Sequence, residues 1–219
     1  MSANIESILE MSLKRISTLQ LIKETTNASR CENEVYFLNV MLLTNKDVRT
    51  IFDKRRYAKR AANFYILGLS LSNLLEWSDG PEYMKAFDAL LHEYEIYVES
   101  LDHRQSKGLL FWPSKSRNQS EVEHVYLKTP FIPFELDYSE VVIILCETLV
   151  QVYNKIIALV VEQDQHFPLP SAADEIFLKV DGLVRKIVVT QLMTAFESYC
   201  RTQIRSELED LEAICASGT

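Results

Sequence analysis

The stretch YSEVVIILCETLVQVYNKIIALVVEQD, residues 138–164, decides the fold of this chain. Its leucine, isoleucine and valine side chains cover most of a helix surface, and a narrow polar strip runs through Glu140, Glu147, Gln151 and Lys155. A helix that is apolar nearly all round is either buried by other elements or spans a membrane. The length suits a membrane span, but the charged and amide side chains inside the stretch are costly in hydrocarbon. The pattern therefore predicts a central helix enclosed by other helices, with no transmembrane segment.

The rest of the chain also has a helical pattern. The 219 residues include only 5 glycines and 6 prolines, where average usage would supply about 15 and 11. Capping signals mark several helix starts, namely Ser29-x-x-Glu32, Thr44-x-x-Asp47, Asp137-x-x-Glu140 and Ser171-x-x-Asp174. With the apolar spacing, these signals predict helices near 4–27, 30–43, 46–77, 81–106, 138–164 and 172–214. We expect a break near Asp53 and a bend or interruption near Gly182.

One segment, residues 104–137, interrupts the helical pattern and holds three of the six prolines. Two β-like runs, 109–112 and 122–127, flank a polar stretch, which indicates either a long loop or a small β-hairpin. The fold class is therefore all-α. We expect a single domain over residues 1–219, an irregular bundle of six to seven helices around helix 138–164, with the 104–137 excursion on one side.

Charge and cysteine usage indicate the cellular setting. The net charge of −8 means that the molecule as a whole repels nucleic acid and anionic membranes. The four cysteines contain no C-x-x-C pair, and Cys146 lies in an apolar run, which is typical of free thiols in a reducing compartment. The N-terminus lacks a basic region followed by an apolar core. We expect an intracellular protein, cytoplasmic or nuclear.

The most polarised feature is a basic patch in the sequence KRRYAKR, residues 54–60. Its basic members are Lys54, Arg55, Arg56, Lys59 and Arg60. Residues 46–60 hold seven basic and two acidic side chains, whereas residues 79–102 hold seven acidic and one basic. Three interpretations stay open: the basic helix packs beside the acidic helix of the same molecule, binds an acidic protein, or binds phosphate in a lipid headgroup or nucleic acid.

A second candidate surface is aromatic. The sequence TPFIPFELD, residues 129–137, leads into the central helix, and its two prolines stiffen it. Phe131 and Phe134, together with Trp112, either pack as part of a connector or present apolar area to another protein. Full burial of these rings within one subunit would exclude the docking interpretation.

The sequence shows no recognisable catalytic or metal site. Asp88, His92, Glu95, Glu99 and His103 follow one helix face, but di-metal helical bundles need matched Glu-x-x-His motifs from facing helices, and these are missing here. His92 and His103 are separated by three turns, roughly 16 Å. Phosphate-binding glycine motifs, the nucleophile elbow and the zinc-protease motif are also missing. We predict a solvated acidic face, with no metal, cofactor or catalytic residue.

The function that these features favour is a non-catalytic helical protein–protein interaction module, an adaptor or subunit of an intracellular assembly. Its partner would be another protein, in a hetero- or homo-oligomer. One alternative is a phosphate-recognising module that binds anionic lipid or nucleic acid through residues 54–60, and another is an enzyme whose site assembles from residues distant in sequence. The C-terminal end of helix 172–214 places Leu208, Leu211 and Ile214 among acidic residues. That end packs either against the bundle of its own chain or against another subunit.

Overall fold

A computed structural model describes residues 3–28, 34–77, 80–107, 124–164 and 171–217, and helix dominates them. The elements, in chain order, are α1 Ala3–Asn27, β1 Val35–Phe37, β2 Met41–Leu43, α2 Asn45–Ile51, α3 Lys54–Leu74, α4 Gly80–Lys107, α5 Tyr138–Asp164, α6 Ser171–Val184, a π-helical turn Arg185–Val189, and α7 Thr190–Ser217. The predicted all-α fold class is confirmed.

Helix α5 lies at the centre of the bundle, as predicted. It packs against α1, α3 and α4, and most of its apolar side chains are buried. Its exposed side chains form one strip: Ile144, Glu147, Gln151, Asn154, Ala158 and Val161. Within the described residues, the segment Tyr138–Val161 is long and apolar enough to cross a membrane by length and composition, and half of the tested window is buried inside the protein. Lys155 was predicted in the exposed polar strip but is half-buried, because its Nζ donates a hydrogen bond to the carbonyl oxygen of Leu75.

Capping side chains fix where the predicted helices begin. Thr44 and Asp47 form a reciprocal capping box at the start of α2, and the Asp53 carboxylate accepts the backbone N–H groups of Arg55 and Arg56 at the start of α3. The predicted break near Asp53 therefore separates two helices. Asp137 caps α5 in the same way, because its Oδ1 accepts from the backbone N–H groups of Ser139 and Glu140.

The helix predicted over 30–43 is wrong, because residues 35–43 form a β-hairpin. Val35 pairs with Leu43 and Phe37 with Met41, and Phe37 and Leu43 are buried. Residues 38–40 connect the strands: Leu38 and Asn39 have φ values of 50° and 56°, the left-handed pair of a type I′ turn, and the Val40 N–H donates to the Phe37 carbonyl at 3.0 Å. Burial of one face of the alternating apolar strands outweighs the strain of a leucine at positive φ, which is about 1–2 kcal/mol. The capping signal predicted at 29–32 lies outside the described residues.

For the 104–137 excursion the sequence left a long loop or a small β-hairpin open, and the first β-like run of such a hairpin, 109–112, lies outside the described residues. Residues 108–123 as a whole are outside the described residues, residues 104–107 belong to α4, and residues 124–137 contain no strand. Glu93 of α4 instead holds the segment: its carboxylate accepts three consecutive backbone N–H groups, from Val125 (3.0 Å), Tyr126 (2.9 Å) and Leu127 (2.8 Å). The described excursion is an extended connector anchored on a helix.

A buried ion pair fastens α6 to the centre. Arg15 of α1 donates from two nitrogens to the two carboxylate oxygens of Asp181, at 2.9 and 2.8 Å, and the Tyr153 hydroxyl of α5 donates to Asp181 at 2.8 Å. Hydrogen bonding to Asp181 raises the pKa of Arg15 despite its burial. The predicted interruption near Gly182 appears just beyond these contacts, as the π-helical turn that joins α6 to α7.

Candidate interaction surface

The two sequence-predicted binding regions meet along α3. Tyr57, inside the basic patch, stacks on Tyr138 at the end of the aromatic segment, with ring centroids 4.7 Å apart and planes 6° from parallel. Phe134 packs edge-on against Tyr65, at 6.3 Å. The connector therefore runs alongside α3 in the opposite direction. We call the combined region the α3–loop surface; its members are Arg55, Arg56, Lys59 and Arg60 of α3 with Phe131 and Phe134 of the connector.

The basic side chains surround one buried ring. Tyr57 is buried, and the guanidinium carbons of Arg56 and Arg60 lie 5.6 and 5.3 Å from its centroid, within cation–π range. Arg55 and Arg56 are exposed, whereas Arg60 is half-buried. Burial raises the pKa of Tyr138, and the charge of Arg60 partly opposes that rise. Arg60 therefore stabilises the α3–α5 contact, while Arg55 and Arg56 direct their charge to solvent.

The acidic face of α4 does not neutralise these arginines. Although α3 and α4 are in contact, Asp88 pairs with Lys179 at 2.9 Å and Glu95 pairs with Lys186 at 2.8 Å. Across the described ranges, no acidic side chain lies within salt-bridge distance of Arg55, Arg56 or Arg60. These two carboxylates of α4 therefore pair with lysines of α6 and the π-helical turn, and not with the arginines of α3.

The phenylalanines of the connector are exposed. Phe131 is 88% exposed and Phe134 is 57% exposed, so the burial that would have excluded docking is not observed. The upstream end of the described connector does pack, because Leu127 is buried and the Lys128 N–H donates to the hydroxyl of Ser70 at 2.9 Å. Trp112, the third predicted aromatic, and the side chain of Lys54 lie outside the described residues.

A shallow surface depression extends the positive region beyond α3. Its volume is about 560 Å³ and its lining residues are Asn45, Lys46, Arg49, Thr50 and Asp53. Because Asp53 also caps α3, the depression borders the basic patch directly. Lys46 and Arg49 are exposed, so the positive surface runs from α2 onto the first turns of α3.

The titratable side chains that the sequence singled out on α4 and α5 have structural roles where they are described. Asp88 accepts from Lys179, and His92 Nδ1 lies 2.9 Å from the backbone oxygen of Asp88; the His103 side chain is outside the described residues. Burial raises the pKa of the Cys146 thiol to about 12, which keeps it protonated and unreactive. Among the side chains that the structure describes, no group of three or more His, Cys, Asp and Glu residues is placed to hold a metal ion.

Sequence reasoning missed two features of this part of the molecule. Glu93 was counted only as one acid of the acidic helix, because nothing local shows that a carboxylate will bind amides more than 30 positions away. The hairpin presents Tyr36 and Val40, which are 61% and 72% exposed. Two short apolar triplets on either side of Asn39 were the available signal for that hairpin.

Comparisons with protein-family models, curated proteins and solved structures found no match for this chain.

Proposed function

We propose that this chain is a non-catalytic protein–protein interaction module, an adaptor or subunit of an assembly, and that the α3–loop surface is its main binding face. The observation that carries the proposal is that two exposed phenylalanines of the connector and arginines with no acidic partner within the described residues lie along the same helix, α3. Aromatic and arginine side chains supply most of the energetic anchors of protein interfaces.

The surface is also held in place before any partner arrives. The Tyr57–Tyr138 stack fixes the end of the connector to α3, and three hydrogen bonds to Glu93 fix its described upstream end. Binding by a pre-ordered surface avoids much of the entropy cost of ordering a loop. The segment that carries Phe131 and Phe134 is therefore anchored to helices on both sides. This suits the two exposed rings to insert into an apolar groove of a partner.

The chemistry of the surface favours one class of partner. Arginines beside exposed rings match a protein that presents carboxylates around an apolar groove, because opposite charges steer association and desolvated rings slow dissociation. Anionic lipid and nucleic acid would use the arginines but would gain little from two phenylalanines that lie apart from the centre of the positive region.

The test is capture from extract of the native cells with the full-length chain, followed by quantitative mass spectrometry. The binding variants are Arg55→Glu/Arg56→Glu and Phe131→Ala/Phe134→Ala. Matched controls change exposed residues elsewhere: Lys14→Glu/Arg185→Glu for charge and Leu13→Ala/Ile96→Ala for apolar area. We expect an acidic protein at near-equal stoichiometry that both binding variants lose and both controls keep.

Two results would contradict the proposal. The first is a captured protein that all four variants retain equally. The second is a salt-sensitive mobility shift with nucleic acid, or sedimentation with anionic vesicles, that Arg55→Glu/Arg56→Glu abolishes and Phe131→Ala/Phe134→Ala leaves unchanged. That second result would favour the phosphate-recognising alternative.

A further inference from the structure

The last part of α7 extends beyond the cover of the bundle. We call residues 201–217 the α7 tail. Every side chain from 201 to 216 is exposed except Gln203, which is half-buried, whereas Leu192, Phe196 and Cys200 earlier in the same helix are buried. Short helices without packing are marginal in water. A helical tail that leaves its apolar side chains exposed therefore gains stability from any partner that covers them.

Four exposed apolar side chains of the tail follow a coiled-coil seam, and the exposed Ile214 lies beside it. Ile204, Leu208, Leu211 and Cys215 are spaced by four, three and four residues, which is the alternation of a and d positions in a heptad. Ile204, Leu208 and Leu211 are 41%, 55% and 57% exposed, and Cys215 is exposed too. The seam covers the 12 residues from Ile204 to Cys215, and its two ends are roughly 16 Å apart along the helix.

The charges beside the seam select both the partner and its direction. Arg205 and Glu212 occupy equivalent flanking positions, next to Ile204 and Leu211. Two antiparallel copies would place Arg205 of each helix beside Glu212 of the other, giving two opposite-charge contacts. A parallel pair would instead place Glu207 beside Glu212 of the neighbour, and like charges at such positions are repulsive.

We infer that the α7 tail is a self-association site that binds the tail of a second copy of this chain as an antiparallel helix pair. Leu208 lies opposite Leu211 of the second copy, and Ile204 lies opposite its Cys215. The interface is small compared with standard stable interfaces, so the dimer forms reversibly and depends on concentration. The tail shares no residue with the α3–loop surface, and the two proposals are tested separately.

Sedimentation velocity of the full chain tests the association between about 1 and 200 μM, the range of weak contacts. We expect monomer–dimer exchange. Leu208→Glu/Leu211→Glu puts carboxylates into the seam and should weaken dimerisation at least about tenfold. The matched control, Ser206→Glu/Ala213→Glu, adds the same charge on the opposite face and should dimerise as the wild type does. Thermal melting of the bundle should not change in either variant, because the tail lies outside the core.

Charge exchange tests the antiparallel alignment. Arg205→Glu alone places two carboxylates together at each contact and should weaken the dimer, whereas Arg205→Glu/Glu212→Arg should restore it. Mild oxidation gives a second test in a Cys31→Ser background. Ile204→Cys introduces a thiol that the antiparallel pair places opposite Cys215, so this variant should form a covalent dimer. The background protein should stay largely unlinked, because its two Cys215 thiols lie about 16 Å apart.

Three results would overturn the inference. The wild type could stay monomeric over the whole concentration range. The dimer could persist in Leu208→Glu/Leu211→Glu, which would place its interface elsewhere. Finally, the Cys215 residues of two chains could form a disulfide with each other as readily as the cysteine of Ile204→Cys does with Cys215 of the second chain, which would show a parallel pair.

Discussion

Helix α5 and the α7 tail both repeat apolar residues at intervals of three and four positions, but these side chains are mostly buried in α5 and exposed in the tail. In α5, Leu149 and Cys146 are buried by helices of the same chain, whereas in the tail Leu208 and Cys215 are exposed. The spacing of apolar residues shows that a helix face needs a partner. It does not show whether that partner belongs to the same chain. This difference separates the part of the molecule that stabilises the fold from the part that is open to other molecules.

The two cysteines give the largest contrast between these regions. With the native protein and an alkylating reagent, we expect Cys215 to react at least about a thousandfold faster than Cys146, because a core residue reacts only after opening of the structure. While α5 stays enclosed, burial also holds the pKa of Cys146 at about 12, so almost no thiolate forms near neutral pH before the structure opens. Peptide mapping by mass spectrometry over time measures both rates. Similar rates in native protein, with the expected equality in denaturant, would show that α5 is not enclosed.

The buried ion pair tests what holds α6 against α1 and α5. Asp181→Ala leaves the Arg15 guanidinium without its two hydrogen-bonded oxygens, and we expect the free energy of unfolding to fall by about 3–5 kcal/mol. Urea denaturation measures the change. The matched control in the tail, Asp210→Ala, should stay within about 0.5 kcal/mol of the wild type. A loss below about 1 kcal/mol for Asp181→Ala would mean that the pair contributes little.

A matched pair of leucine truncations tests the comparison itself. Leu149→Ala removes a side chain that is 0% exposed, and such cavities cost about 2–5 kcal/mol. Leu208→Ala removes a side chain that is 55% exposed, and we expect a change within about 0.5 kcal/mol at concentrations where the chain is monomeric. Equal losses for the two variants would show that the tail packs against its own bundle.

Asp47 gives the smallest of these effects, and it depends on pH. Burial opposes ionisation of Asp47, but hydrogen bonds from Tyr199 and Thr44 outweigh burial and lower the pKa of its carboxyl. Because the pKa is lower in the folded state, the stabilisation is complete above the unfolded value near 4 and disappears as pH falls through the folded value. Asp47→Asn should cost about 1 kcal/mol at pH 7. The difference in free energy of unfolding between this variant and the wild type should narrow below about pH 4 in urea titrations. A difference that widens would contradict the lowered pKa of Asp47.

Most of the helical architecture follows from local sequence signals. Thr44 and Asp137 cap helices at the predicted positions, and Asp53 caps α3 where a break was predicted, because a capping side chain acts on the N–H groups two or three residues ahead. The hairpin at residues 35–43 was missed because its turn uses Leu38 and Asn39, without the glycine that normally marks such a turn. Its strands form because burial of Phe37 and Leu43 overrides local preference, and burial depends on the whole fold.

The candidate surface was only partly predictable for the same physical reason. The members of the basic patch and the exposed phenylalanines could be named from charge and aromatic content alone. Their meeting along α3 depends on the Tyr57–Tyr138 stack, which joins residues 81 positions apart. Asp88 and Glu95 of α4 are paired by Lys179 and Lys186, which come from the far end of the chain. Contacts of this length follow from packing and carry no local signal.

The most direct measurement is a titration of the captured partner, once purified, against the full-length chain at low and moderate salt. We predict that Arg55→Glu/Arg56→Glu and Phe131→Ala/Phe134→Ala each weaken the affinity for this partner at least about tenfold. The charge variant should also reduce the salt dependence, and Lys14→Glu/Arg185→Glu and Leu13→Ala/Ile96→Ala should bind as the wild type does. Wild-type affinity in both binding variants would contradict the central claim that the α3–loop surface is where this chain meets another protein.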